Sequence, residues 1–156
     1  MPGPGTWSAG DILTAADLNA IGTWSSYTPV VAQNGNRTAT INYAEYCQIN
    51  KVCFVNIDLE VTNAGTTANL ITITLPVNAS TGGTQRALGC GLIFDASATD
   101  VILLTALRNT ASTARFLTED STAIDSGGSP VGLGNNPNFA LASGDFISLS
   151  LMYETV

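Results

Sequence analysis

An antiparallel β-sandwich, jelly-roll-like and of about eight strands, is the fold this sequence predicts, with a closed barrel as the alternative, from three observations. Apolar and polar residues alternate with period two in the longest patterned stretches, Tyr43–Val61 and Asp145–Glu154. Turn-forming clusters such as Gln33-Asn34-Gly35-Asn36 and Asn78–Thr84 punctuate the chain every ten residues or so. Strands do not alternate with helical patterns, which argues against a parallel sheet. The one helix signal lies at the N-terminus, so the chain divides into an anchoring arm with a short helix, residues 1–22, and a β-domain, residues 23–156.

Met1–Gly10 holds two prolines and three glycines and reads as an extended arm whose one large apolar group is Trp7. Thr14 followed by Asp17 has capping-box spacing, helix is expected over Ala15–Ala20, and Gly22 is a natural stop. Leu18 and Ile21 share one face, and Ile12 or Leu13 can join them as a staple. A helix this short needs a surface to lie on. Trp7, Ile12, Leu13, Leu18 and Ile21 are therefore the expected docking residues.

Thr23–Val31 suits a first strand, and Pro29 makes it an edge or bent one. Asn50-Lys51 divides Tyr43–Val61 into a hairpin. A two-residue turn there pairs Cys47 with Phe54 and Tyr46 with Val55, so Cys47 and Cys53 fall on opposite faces and are expected as free thiols. Ile71, Ile73 and Leu75 should share one side of the next strand. Leu88–Phe94 is expected as a buried strand with two glycines, and Val101–Leu107 is an apolar run expected to be buried on both faces or at an interface. In the last strand Ile147, Leu149, Leu151 and Tyr153 should face the core and Ser148 and Ser150 outward, with the strand in mid-sheet.

Charge and chemistry narrow the function. The chain carries −7 net charge from few charged residues, 11% of the total, and has no histidine. The five basic residues are scattered, so neither nucleic acid nor an anionic membrane is an expected partner. Without histidine the commonest general base and metal ligand are missing, and no catalytic set, metal site or cofactor motif stands out. No enzyme is therefore expected. A surface this poor in charge suits burial against copies of itself. The start of the sequence has no signal-peptide pattern, which leads to an expectation of synthesis in a cytoplasm.

Three stretches in order resemble small structural proteins of tailed bacteriophages. Gly10-Asp11-Ile12-Leu13-Thr14-Ala15-Ala16-Asp17-Leu18-Asn19 looks like the opening of many phage tail-fibre and minor tail proteins. Trp24-Ser25-Ser26-Tyr27-Thr28-Pro29 is similar to the start of fibre-head domains. Tyr46…Asn50-Lys51-Val52, followed by Leu75-Pro76-Val77, looks like a further run of those heads, with Asn50 where glycine is commoner. The resemblance implies a virion structural protein, a homotrimer held to major capsid or tail proteins by its N-terminal segment. With only a short connection between helix and β-domain, it favours a compact capsid decoration, head-fibre or small tail appendage protein over a long fibre. The alternative is an adsorption head that binds a host-surface glycan, with Asn135, Asn136, Asn138 and Phe139 as outer-tip contacts.

Overall fold

Alternation builds the sheet that carries everything else. The computed structural model of the chain describes residues 14, 21–82, 87–118, 132–135 and 137–156. In chain order the strands are β1 (Ser25–Ser26), β2 (Val31–Ala32), β3 (Ala39–Ile49), β4 (Val52–Val61), β5 (Thr72–Thr74), β6 (Ala87–Asp95), β7 (Asp100–Arg108), β8 (Thr113–Leu117) and β9 (Phe146–Glu154). All pair antiparallel in one sheet of order β1-β3-β4-β9-β6-β7-β8-β5-β2. No helix occurs among the described residues; the expected helix and the arm before it lie outside them.

The sequence predicts two stacked sheets of about eight strands; the chain instead forms one curled sheet of nine, a half-barrel. Twist and bulging supply the difference. Register shifts between Ile41 and Tyr43 and between Ala87 and Gly89 bend β3 and β6, and a bulge of this kind adds local twist and curvature. The inward residues then meet across the concave side of the same sheet. Cys53, Val55, Ile57, Leu59 and Val61 of β4 and Ile147, Leu149, Leu151 and Tyr153 of β9 join Ile93, Leu104, Phe116 and Ile73 in one core. Burial of each such aliphatic side chain contributes roughly 1.5–3 kcal/mol.

The β3–β4 hairpin has the register its turn dictates: Cys47 lies opposite Phe54 and Tyr46 opposite Val55. Asn50 takes the left-handed φ of 54° that asparagine tolerates in a tight turn. The three cysteines are free, with Cys47 and Cys53 buried and Cys90 exposed. The exposed Cys90 corrects the expectation of a buried strand at Leu88–Phe94, because alternate residues of a strand in a single sheet point away from the core. β9 sits between β4 and β6 in mid-sheet, and Ile71, Ile73 and Leu75 are buried together.

The first strand is split. Ser25–Ser26 pairs with β3, and Val31–Ala32 pairs with β5, at opposite edges of the sheet. Between them the Tyr27 amide donates to the Ala44 carbonyl at 3.1 Å and the Thr74 amide to the Val30 carbonyl at 3.0 Å. Only Thr28 and Pro29 separate those two attachments, so this segment spans the seam of the half-barrel within about 11 Å. Buried Pro29 sits where no ladder donor is needed. Tyr27 stacks edge-on against Tyr46, ring centres 5.9 Å apart, and burial pushes its hydroxyl well above the usual tyrosine range.

β6 is pressed close to β9. A Cβ at Gly91 would lie 2.1 Å from the Ser148 carbonyl oxygen, and one at Gly89 2.2 Å from that of Ser150. We expect Gly91→Ala to destabilise the fold by about 1–3 kcal/mol, as overpacking does, measured as a fall in urea midpoint with unchanged slope.

Candidate functional site

Among the described residues, Asp145 and Asp95 do structural work. Asp145 is buried, and its two oxygens accept the Ala96 amide at 3.0 Å and the Ala142 amide at 2.8 Å, joining the β6–β7 turn to the turn before β9. Asp95 accepts the Ser97 hydroxyl and the Ser97 and Ala98 amides, and these bonds, the hydroxyl first, hold its carboxyl below the usual range. Burial pushes the Cys53 thiol up, away from a nucleophile's requirement. Among the described residues no three histidine, cysteine, aspartate or glutamate side chains converge on one point.

The loops at one end of the half-barrel converge on Gln33. This side chain is fully buried. Its Nε2 donates to the Phe139 carbonyl at 2.6 Å and the Asn69 carbonyl at 3.2 Å, and its Oε1 accepts the Leu141 amide at 2.9 Å. Gly65 and Gly134 leave the space: a Cβ at Gly65 would fall 1.9 Å from Gln33 Oε1, and one at Gly134 2.2 Å from the Asn69 carbonyl oxygen. The sequence places Gln33 in a turn, where a glutamine carries no signal that its amide is buried.

That clasp also positions the expected tip residues. Phe139 is half-buried and packs against the core, Asn138 is exposed, and Asn135 lies in the turn closed by its own amide on the Gly132 carbonyl. Asn136 lies outside the described residues, as do the docking candidates Trp7, Ile12, Leu13 and Leu18. Ile21, the remaining docking candidate, is exposed. Next to it, Gly22 lies over the convex side of β3; a Cβ there would touch Ile49 Cδ1 at 3.5 Å and Cys47 Sγ at 3.8 Å.

The convex face takes up the exposed half of the apolar run Val101–Leu107, for which the sequence offers burial on both faces or an interface. On β6 and β7 the outward pairs are Leu92 opposite Leu103 and Phe94 opposite Val101. Leu103 is 62% exposed, and Val101 is exposed beside it. Val101–Leu107 is thus apolar on both faces, with Leu104, Ala106 and Leu107 buried and Val101 and Leu103 facing out. On β4 and β9 the outward rows turn polar: Asn56 lies opposite Ser150 and Asp58 opposite Ser148, with Phe54 opposite Met152 at one end. Two shallow hollows of about 470 Å³ and 330 Å³ meet at Asn56 and Ser150. Trp24 lines the first and Tyr43 the second.

We expect Gln33→Leu to cost roughly 3 kcal/mol, because it strands the Leu141 amide and two carbonyls. Gln33→Glu should be similarly unstable at neutral pH. A carboxylate buried against carbonyl oxygens has a higher pKa folded than unfolded, so acid favours the folded form and the deficit should shrink as pH falls. Denaturant titrations of both variants across pH check this.

No protein-family model, curated protein or solved structure matches the chain.

Proposed function

We propose that this chain is a non-enzymatic structural protein of a tailed-bacteriophage particle, a homotrimer attached to capsid or tail proteins by residues 1–22 with its sheet domain facing outward. The virion is then its location. The reading is supported by the ordered motifs at Gly10–Asn19, Trp24–Pro29 and Tyr46–Val77. The observation that carries it is the apolar ridge of Leu92, Phe94, Val101 and Leu103, which carries no charge and lies open on the protomer. Such a ridge on an acidic chain suits contact between copies, since no carboxylate must be desolvated. The resemblance implies a jelly-roll head, and the curled sheet with its closed seam would be the protomer of that head.

Attachment by the N-terminal segment accords with where the chain enters the sheet. Ile21 and Gly22 lie at the β1 edge, outside the core.

The full chain should sediment as a trimer, and Val101→Lys with Leu103→Lys should reduce it to a monomer with unchanged circular dichroism. A truncation lacking residues 1–22 should stay folded and oligomeric but no longer co-sediment with particles. Normal incorporation of the truncated domain, or a monomeric full chain, would refute the assignment.

A further inference from the structure

The polar half of the convex face has a different character from the ridge beside it. Its floor is a square of four side chains on neighbouring strands, Asn56 and Asp58 on β4 and Ser150 and Ser148 on β9. Directly opposed outward residues of an antiparallel pair lie about 5 Å apart, so the four side chains form one continuous polar floor. The Asn42 amide donates to Asp58 Oδ1 at 2.9 Å and so orients that carboxylate. Among the described residues, the side chains of Asn56, Ser148 and Ser150 make no hydrogen bond. They retain donors and acceptors for something else.

Aromatic groups stand at both ends of the square. Tyr43 is 45% exposed and Trp24 43%. The Tyr43 hydroxyl donates to Glu45 Oε2 at 2.9 Å, which restrains the ring. Tyr43 sits across from Asp58 in the β3–β4 ladder, and Trp24 closes the other end beside Phe54 and Met152.

We propose that this groove binds a neutral glycan, with Trp24 and Tyr43 as platforms for sugar rings and the Asn56, Asp58, Ser148, Ser150 square as partners for its hydroxyls. A pyranose presents an apolar C–H face and a polar edge, and the groove offers both complements. An apolar protein segment would leave the square's polar groups unpaired. An anionic ligand would meet Asp58 and Glu45 with no lysine or arginine in the lining to offset them. The site lies within one protomer and does not depend on particle attachment. It also differs in place from the loop contacts that composition suggests at residues 135–139.

The test uses the full chain on immobilised neutral oligosaccharides of glucose, galactose, mannose and N-acetylhexosamines, beside sialylated and sulfated ones, followed by calorimetry with the best neutral binder. Retention on neutral glycans is expected. Trp24→Ala and Tyr43→Ala should each weaken binding about tenfold, an aromatic contact's worth, with unchanged sedimentation and circular dichroism. Ser150→Val should weaken it too, and Asn138→Ala should leave it unchanged. The proposal is overturned by no retention on any neutral glycan, by retention on anionic glycans alone, by binding indifferent to both aromatic variants, or by a change of oligomeric mass in Tyr43→Ala. A monomer that still binds neutral glycans through Trp24 and Tyr43 would refute the particle reading and leave this one standing.

Discussion

A curled sheet that stops short of closing must protect two edges and one open seam, and here one short segment does both. Ser25–Ser26 covers part of β3, Val31–Ala32 covers part of β5, and the residues between cross the gap. The seam holds because each side is tied by backbone hydrogen bonds, Tyr27 to Ala44 and Val30 to Thr74. Val30 also donates its amide to the Thr74 hydroxyl at 2.9 Å. Without that strap the apolar floor under Val31, Ile73 and Tyr46 would meet water along the length of the opening, and both edges would be free to pair with other chains. Gln33 follows directly and carries the same closure into the loops, so strap and clasp form one continuous device from Ser25 to Gln33.

Closure on the concave side decides what the convex side can be. The apolar run Val101–Leu107 could bury both its faces only under a further layer laid over its outer side; in a single curled sheet only one face turns inward. Leu104 and Ala106 take it, and Val101 and Leu103 are left outside. The same geometry fixes Ser148 and Ser150 outward as the counterparts of Ile147, Leu149 and Leu151. The outer surface is therefore the residue-by-residue complement of the core, apolar where β6 and β7 carry no alternation and polar where β4 and β9 do.

This explains which parts were legible in the sequence. Period-two alternation reports the face of each strand, so the hairpin register at Asn50-Lys51, the inward set of β9 and the buried side of Ile71–Leu75 could all be read directly. Alternation is silent on whether two apolar faces belong to two sheets or to one bent sheet, since both bury the same residues. The split first strand was legible only as a proline-marked edge; its attachment to both edges depends on partners more than forty positions away at Thr74. Gln33 and Asp145 were not legible, because a buried amide or carboxylate looks like loop polarity until its partners are known. Of the proposed groove, the outward positions of Asn56, Asp58, Ser148 and Ser150 could be read from period two. Their adjacency needs the β4–β9 pairing, which joins strands far apart in the chain.

The division of the convex face bears on how so weakly charged a chain would stay specific. With charged residues at 11%, few complementary charges are available to steer copies into one register. Discrimination must come from short-range features. An uncharged ridge favours any apolar surface that fits it. The neighbouring square penalises one that covers it, because hydroxyl and amide groups would lose water without gaining partners. A contact that seats on Val101 and Leu103 and stops before Ser148 satisfies both conditions, whereas one that slides across β9 does not. The polar half of the face would thus set the boundary of the proposed contact between copies, and for the same reason it would stay wet and open to a ligand in the assembled protein.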